Sequence, residues 1–191
     1  MSPLSLNSST EKQLVSLCLE GDRVACKNLF DMYSGKMMAL CYRFSRDRNE
    51  AEDIMQEGFV RVFTKLHLFS GKGSLESWMK RVIINTAIKY REKHITRHNY
   101  SEIENLHIQD IAPTVIDELS KEEILDLIQE LPDGYRRVFN MYVIDGYSHK
   151  DIGKMLNIGE STSRSQLVKA RTLLKQKLLN QIKLVLSLIH I

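Results

Sequence analysis

The sequence predicts an all-α fold: two small helical domains joined by an acidic linker, the second containing a helix-turn-helix. Three observations predict it. Apolar residues recur at helical spacing along most of the chain, and no segment shows a convincing two-residue strand period. Only three prolines and nine glycines interrupt 191 residues. Residues 96–117 lose the helical period, gain acid and contain Pro113, which reads as a linker between helical blocks.

The elements follow in order. Residues 1–9 are expected to be disordered, and the first domain to span residues 10–95. Thr10 is placed to cap a short helix ending near Gly21-Asp22. A longer helix, Asp22 to Phe44, carries Leu29, Phe30, Tyr33, Met37, Leu40, Cys41 and Phe44 on one side. Arg46 to Asn49 is a turn, Glu50 to Leu66 a helix, and His67 to Ser74 a loop with Gly71 and Gly73. Leu75 to about Lys93 is helical, with Leu75, Met79, Val82, Ile83, Thr86 and Tyr90 facing inward. The second domain, residues 118–180, opens with helices near Ser120 to Glu130 and Pro132 to Ile144.

Gly146 to Arg171 (GYSHKDIGKMLNIGESTSRSQLVKAR) reads as two helices joined by a tight turn. Gly146 ends the preceding helix, and Ser148 can cap the next, with Asp151 at the capping-box position. Ile152, Met155 and Leu156 form an apolar face, and Asn157 and Gly159 tolerate the positive φ that a turn needs. The second helix starts near Glu160. At about 100° per residue, Leu167, Ala170, Leu174 and Leu178 point inward. Ser161, Arg164, Ser165, Val168 and Lys169 fall on roughly the opposite side. This frame lays its second helix into the DNA major groove. Repressors, recombinases and polymerase subunits all use it.

Charge agrees with a nucleic-acid partner. The net charge is only +3, but residues 136–177 hold nine Lys or Arg against three Asp or Glu. Residues 72–97 hold seven against two, and residues 96–120 one against five. Two basic blocks flank an acidic one, favouring phosphate backbones and basic surfaces respectively. A linker of ~20 residues spans up to ~65 Å, so two domains can touch separate DNA elements. Cys18, Cys26 and Cys41 have no paired spacing and read as reduced core thiols in a cytoplasm. No apolar run reaches the length of a membrane span, no signal-peptide pattern is present, and no metal or cofactor is expected.

In the first domain, AEDIMQEGFVRVFTKL (51–66) places Asp53, Gln56 and Glu57 within one turn, with Ile54, Phe59, Val60 and Phe63 as apolar contacts. Such an acidic, amide-bearing face suits a basic helical partner, or simply water. LFSGKGSLESWMKRVIINTAIKY (68–90) follows. Trp78, Arg81, Asn85 and Lys89 form a stripe at i, i+3, i+7 and i+11. One aromatic, one amide and two cations suit a single nucleic-acid strand, and the Gly-containing loop before them can admit a base beside Phe69.

The ordered combination of IMQEGF, FSGKGSLESW, VIINTAIKY, an acidic linker, LPDGYRRVF and the helix-turn-helix resembles the bacterial sigma factors. The similarity covers about residues 22–180 and is to the two-domain extracytoplasmic-function (group 4) type. The resemblance implies a subunit that directs RNA polymerase to promoters. It implies that Asp53, Gln56, Glu57 and Phe59 dock on the clamp helices of core RNA polymerase. Phe69, Ser70, Gly71, Lys72, Gly73 and Ser74 match the loop that captures a flipped −10 base, and Trp78, Arg81, Asn85 and Lys89 the helix lining that strand. Leu131 to Tyr142 match the part packed on the polymerase flap. Ser161, Thr162, Arg164, Ser165, Val168, Lys169 and Arg171 match the −35 reader. The linker matches a chain in the RNA-exit path, and an anti-sigma factor is the implied regulator.

Ser163 and Gln166 stand where the family often has Val and Arg, which bears on the −35 sequence read. Trp78-Met79 stands where primary sigma factors carry an aromatic pair, which implies a stringent promoter. Residues 186–191 (LSLIHI) resemble the translation of a sequencing adapter, so the natural chain is expected to depart near Val185. Two other readings use the same residues. One is a free-standing regulator, which would need a dimer interface or ligand pocket. The other is a metal-dependent nuclease built on Asp47, Glu50, Glu52, Asp53 and Glu57, with His94 and His98 at i, i+4 spacing.

Overall fold

The computed structural model describes the backbone of residues 8–95 and 120–189, and side chains over 10–94, at 120 and over 123–180. The expected linker lies outside the described residues, as do the first seven residues, the last two and the side chains of the expected foreign tail. The described residues hold helices and no strand, and the chain divides into two compact units, Met1–Thr96 and Arg97–Ile191.

Unit 1 contains α1 (Ser8–Leu19), α2 (Arg23–Phe44), α3 (Arg48–Lys65) and α4 (Leu75–Ile95). Ser8 and Ser9 are already helical, so Thr10 lies inside α1 rather than capping it. Asp22 caps α2, accepting from the Val24 and Ala25 amides at 2.7 and 3.1 Å. Asp47 caps α3 through the Glu50 amide at 2.9 Å, two residues earlier than the sequence placed that start. A 3₁₀ turn, Leu66–Leu68, then shortens the loop.

The helix α2 packs on α1, α3 and α4, and α3 also packs along α4. Every apolar residue expected on α2 is buried except Phe30, which is half-buried against Phe59. Each fully buried aliphatic side chain contributes about 1.5–3 kcal/mol. The helix α4 is buried over a wider arc than its sequence pattern suggests. Of the residues expected to face inward, Leu75, Met79, Ile83 and Thr86 are buried and Val82 and Tyr90 only half-buried, whereas Ile84, Ala87, Ile88 and Arg91 are enclosed as well, because both α2 and α3 cover α4. Arg91 is 1% exposed, and its Nη1 donates to both oxygens of Glu50 at 3.1 Å. That pair ties the end of α4 to the start of α3. The cysteines divide: Cys41 is buried, whereas Cys18 and Cys26 are only half-buried at the α1–α2 turn.

Unit 2 contains α5 (Lys121–Gln129), α6 (Asp133–Phe139), α7 (His149–Leu156) and α8 (Glu160–Ile189). Ser120 and Glu123 form a reciprocal capping box at α5. The expected Pro132–Ile144 helix changes character midway, because α6 runs on as a π turn over Asn140–Ile144. Arg136 is 5% exposed and neutralised by Asp133 at 2.7 Å, while its Nη1 donates to the Gln129 carbonyl at 2.8 Å. It thus fastens α6 to the end of α5.

Candidate functional site

The helix-turn-helix forms as its residues predict, with two differences in detail. Gly146 takes φ 75° and ends the preceding turn. The Ser148 hydroxyl accepts from the Asp151 amide at 3.1 Å, but the Asp151 carboxylate turns to the Ser148 hydroxyl at 2.6 Å instead of completing a box. Asn157 adopts the left-handed conformation at φ 53° and stops α7. Gly159 has no positive φ, so Asn157 alone supplies that conformation in the turn. The second required glycine is Gly153, which the sequence pattern did not single out. A Cβ there would lie 2.8 Å from the Ile158 carbonyl oxygen.

This turn sets α8 against the rest of unit 2. Leu167 and Ala170 are buried, and Leu174 and Leu178 half-buried. Ser161, Thr162, Arg164, Ser165, Val168, Lys169 and Arg171 are all exposed, so the polar face calculated from the helical period is the face presented to solvent. Arg164 pairs with Glu160, an exposed i, i+4 contact that is weakly held. Lys169 lies over the Tyr135 ring at 6.0 Å.

Ser163 is a correction. It is fully buried, and its hydroxyl lies 2.9 Å from His149 Nδ1. It therefore cannot touch a base, and its replacement of the family's usual residue leaves the outward reading face intact. Gln166 is half-buried, with its amide beside Gly134. His149 stacks on Tyr142 at 4.3 Å. Burial, and then the Arg164 charge, hold its pKa below the usual histidine value. In the segment expected to pack on a flap, Leu131, Arg136, Val138, Asn140 and Met141 are interior. The exposed apolar surface starts at its last residue, Tyr142, and continues beyond the expected segment through Val143 and Ile144.

On unit 1, the outer face of α3 presents Asp53, Gln56 and, half-buried, Glu57. Asp53 accepts from the Tyr90 hydroxyl at 2.9 Å, and Glu57 from Arg61 at 2.5 Å. Two apolar assignments exchange places. Phe59 is 4% exposed, its ring 4.6 Å from that of Phe30, so it supports the helix from behind and offers no docking surface. Val60 is 65% exposed beside the acidic group and forms an apolar part of the outer face.

The loop before α4 holds Gly71 and Gly73 at φ 72° and 85°, and Ser70, Lys72 and Ser74 are exposed. Ser74 has a structural task as well, accepting from the Ser77 amide at 3.1 Å at the start of α4. Trp78 is half-buried, with its ring 5.7 Å from that of Phe69, and Arg81, Asn85 and Lys89 project into solvent from the same helix. An aromatic pair beside amide and cationic donors can stack and hydrogen-bond unpaired bases.

The carboxylates required by a nuclease are dispersed among separate partners: Asp47 caps α3, Glu50 holds Arg91, Glu52 pairs with Arg48, Asp53 with Tyr90 and Glu57 with Arg61. Among the described residues, no group of three or more His, Cys, Asp or Glu could hold a metal, and His98 lies outside them. No described helix is long and apolar enough to cross a membrane.

Fold and site together define a helical DNA reader of sigma-70 architecture: residues 29–95 match Sigma-70 region 2, and residues 121–174 match Sigma-70, region 4. The ECF RNA polymerase sigma factor SigW of Bacillus subtilis is 30% identical over 179 residues, covering 87% of this chain and 96% of SigW. The ECF RNA polymerase sigma-E factor of Haemophilus influenzae is 26% identical over 181 residues, covering 88% of this chain and 95% of its own. Among solved structures, the sigma factor RpoE of Bartonella quintana, in complex with the anti-sigma factor NepR, shares the fold. It has a TM-score of 0.52 at 19% identity, over 81% of this chain and 96% of that one. The chain belongs to the ECF RNA polymerase sigma factors. It confers promoter recognition on RNA polymerase and initiates transcription.

Proposed function

We propose that the two units grip two promoter elements while polymerase fixes their spacing. In this reading α8 enters the major groove at the −35 element, with Arg164, Ser165, Val168 and Lys169 toward bases and Ser161, Thr162 and Arg171 toward the backbone. Phe69 to Ser74 and the α4 stripe of Trp78, Arg81, Asn85 and Lys89 capture the melted −10 strand. Asp53, Gln56, Glu57 and Val60 dock on the clamp helices, and Tyr142 to Ile144 meet the flap. The observation that carries the reading is the α8 face, where exposed Ser161, Thr162, Ser165, Val168 and Lys169 stand away from buried Leu167 and Ala170, with Arg164 and Arg171 exposed at its edge.

The chain contributes binding energy and performs no covalent chemistry; nucleotide transfer belongs to polymerase. Its single wedge aromatic at Trp78-Met79 provides less stacking than a pair would, at roughly 1–3 kcal/mol per base, so the promoter is a stringent one. Its place of action is the cytoplasm, and an anti-sigma protein of the kind seen with the Bartonella quintana RpoE holds it inactive.

Asp53→Ala and Gln56→Ala should weaken binding to core polymerase. Arg164→Ala should relax −35 selectivity by about 1–3 kcal/mol through loss of a bidentate base contact. An unchanged −35 preference in Arg164→Ala holoenzyme would remove Arg164 from the reader.

A further inference from the structure

Two adjoining clefts lie between α3 and α4. One, of about 300 Å³, is lined by Arg61 and Lys65 from α3 and by Val82, Asn85, Thr86 and Lys89 from α4. The other, of about 220 Å³, shares Arg61 and Lys89 and adds Glu57, Tyr90, Lys93 and His94. Asn85 and Lys89 belong to the proposed strand-binding stripe. Arg61 and Lys65 come from the helix proposed to dock on polymerase, and that reading gives them no task. The first cleft has a polar, cationic rim over Val82 and Thr86, which suits the phosphates of a single strand.

Arg61 stands between the two tasks. Its Nη2 donates to Glu57 Oε1 at 2.5 Å, and the side chains are 34% and 42% exposed. A half-exposed i, i+4 ion pair exchanges easily for a better one. Glu57 is also one of the carboxylates proposed to meet the basic clamp helices. A guanidinium released by Glu57 has the fork geometry that binds phosphate oxygens two at a time.

We infer that Arg61 is a shared ligand: Glu57 holds it in the free protein, and docking on polymerase draws Glu57 away and frees Arg61 for the backbone of the −10 strand. This rests on the proposed function and deepens it. Docking and strand capture then raise one another's affinity, because linkage is reciprocal. Lys65 and Lys89 supply standing attraction to phosphate, and Arg61 supplies the part that depends on polymerase.

The test uses the full-length chain without polymerase. Fluorescence anisotropy measures its binding to a short, mixed-sequence, fluorescein-labelled single-stranded DNA at low salt. Glu57→Gln mimics the loss of the Glu57 charge and should tighten binding by about fivefold, the lower end of ordinary coupling. Glu52→Gln makes the same change in net charge on the same helix and should alter binding less than twofold, a bound set by that scale. Arg61→Ala should weaken binding, Arg61→Lys should restore part of it, and Glu57→Gln should give no gain when Arg61 is alanine. Equal gains from Glu52→Gln and Glu57→Gln would overturn the inference, as would a Glu57→Gln gain that survives loss of Arg61, or no gain at all. Circular dichroism on each variant confirms folding. Core-polymerase pull-down of the wild-type chain separates the two failures: no pull-down sinks the sigma-type docking, whereas normal pull-down with no Arg61-dependent gain sinks only the shared ligand.

Discussion

Gly153→Ala tests the packing that orients α8. A Cβ at Gly153 would sit 2.8 Å from the Ile158 carbonyl oxygen, with the Glu160 amide nitrogen at 3.6 Å and the Gly159 carbonyl carbon at 3.7 Å. All three are backbone atoms, so no side-chain rotation relieves the contact. The turn is also pinned at that point, because the Ile158 amide donates to the Gly153 carbonyl at 3.0 Å. Forcing a methyl group against backbone that cannot turn aside costs about 2–3 kcal/mol, the upper part of the overpacking range, and the better helix propensity of alanine offsets about 1 kcal/mol of it. The net loss is about 1–2 kcal/mol. For a unit of this size, that lowers the midpoint by roughly 5–15 °C. Temperature-dependent amide exchange of the full chain is the suitable assay, because it reads unit 2 separately from unit 1. Protection at Ile152 and Ala170 should be lost at lower temperature, with Leu29 and Ile83 unchanged. A neutral or stabilised unit 2 would refute the close-approach argument.

Other substitutions probe other parts of the fold. Gly35→Ala on α2 should stabilise unit 1 by about 0.5–1 kcal/mol, because a Cβ there meets no atom within 4 Å and the helix gains propensity; chemical denaturation checks it. Glu50→Ala removes the carboxylate from buried Arg91 and should cost unit 1 about 3 kcal/mol, read by the same denaturation. His149 gives unit 2 a pH dependence whose sign follows from its lowered pKa. As pH falls below the ordinary value of 6.5, the unfolded chain takes up the proton first, so unit 2 loses stability on acidification. Thermal melts across that range should show the loss, and His149→Gln should flatten it.

Much of this arrangement is legible in the residues where one periodicity decides the outcome. The inward and outward sets of α8 separate correctly because its first turns pack on one side only. Asp22 and Ser120 announce their helices because cap chemistry is local. The pattern fails where tertiary contact decides. Helix α4 buries Ile84, Ala87, Ile88 and even Arg91, since two helices cover it and a charge can be enclosed when its partner is supplied from α3. Phe59 and Val60 are adjacent apolar residues, and only the position of α2 determines which of them is enclosed. Gly153 carries no turn signal because its requirement is a close approach, not an unusual dihedral. Ser163 looks like a substituted reading residue by its place in the motif, yet the His149 ring packed against it makes it an internal hydrogen-bonding group.

Run-off transcription with core polymerase on a randomised promoter library tests the central claim most directly. The account predicts transcripts only when this chain is added, from templates selected at both a −35 and a −10 element with fixed spacing. It also predicts that Arg164→Ala loosens the first element and Asn85→Ala the second. Absence of chain-dependent transcripts, or tight specific DNA binding by the chain without polymerase, would contradict it.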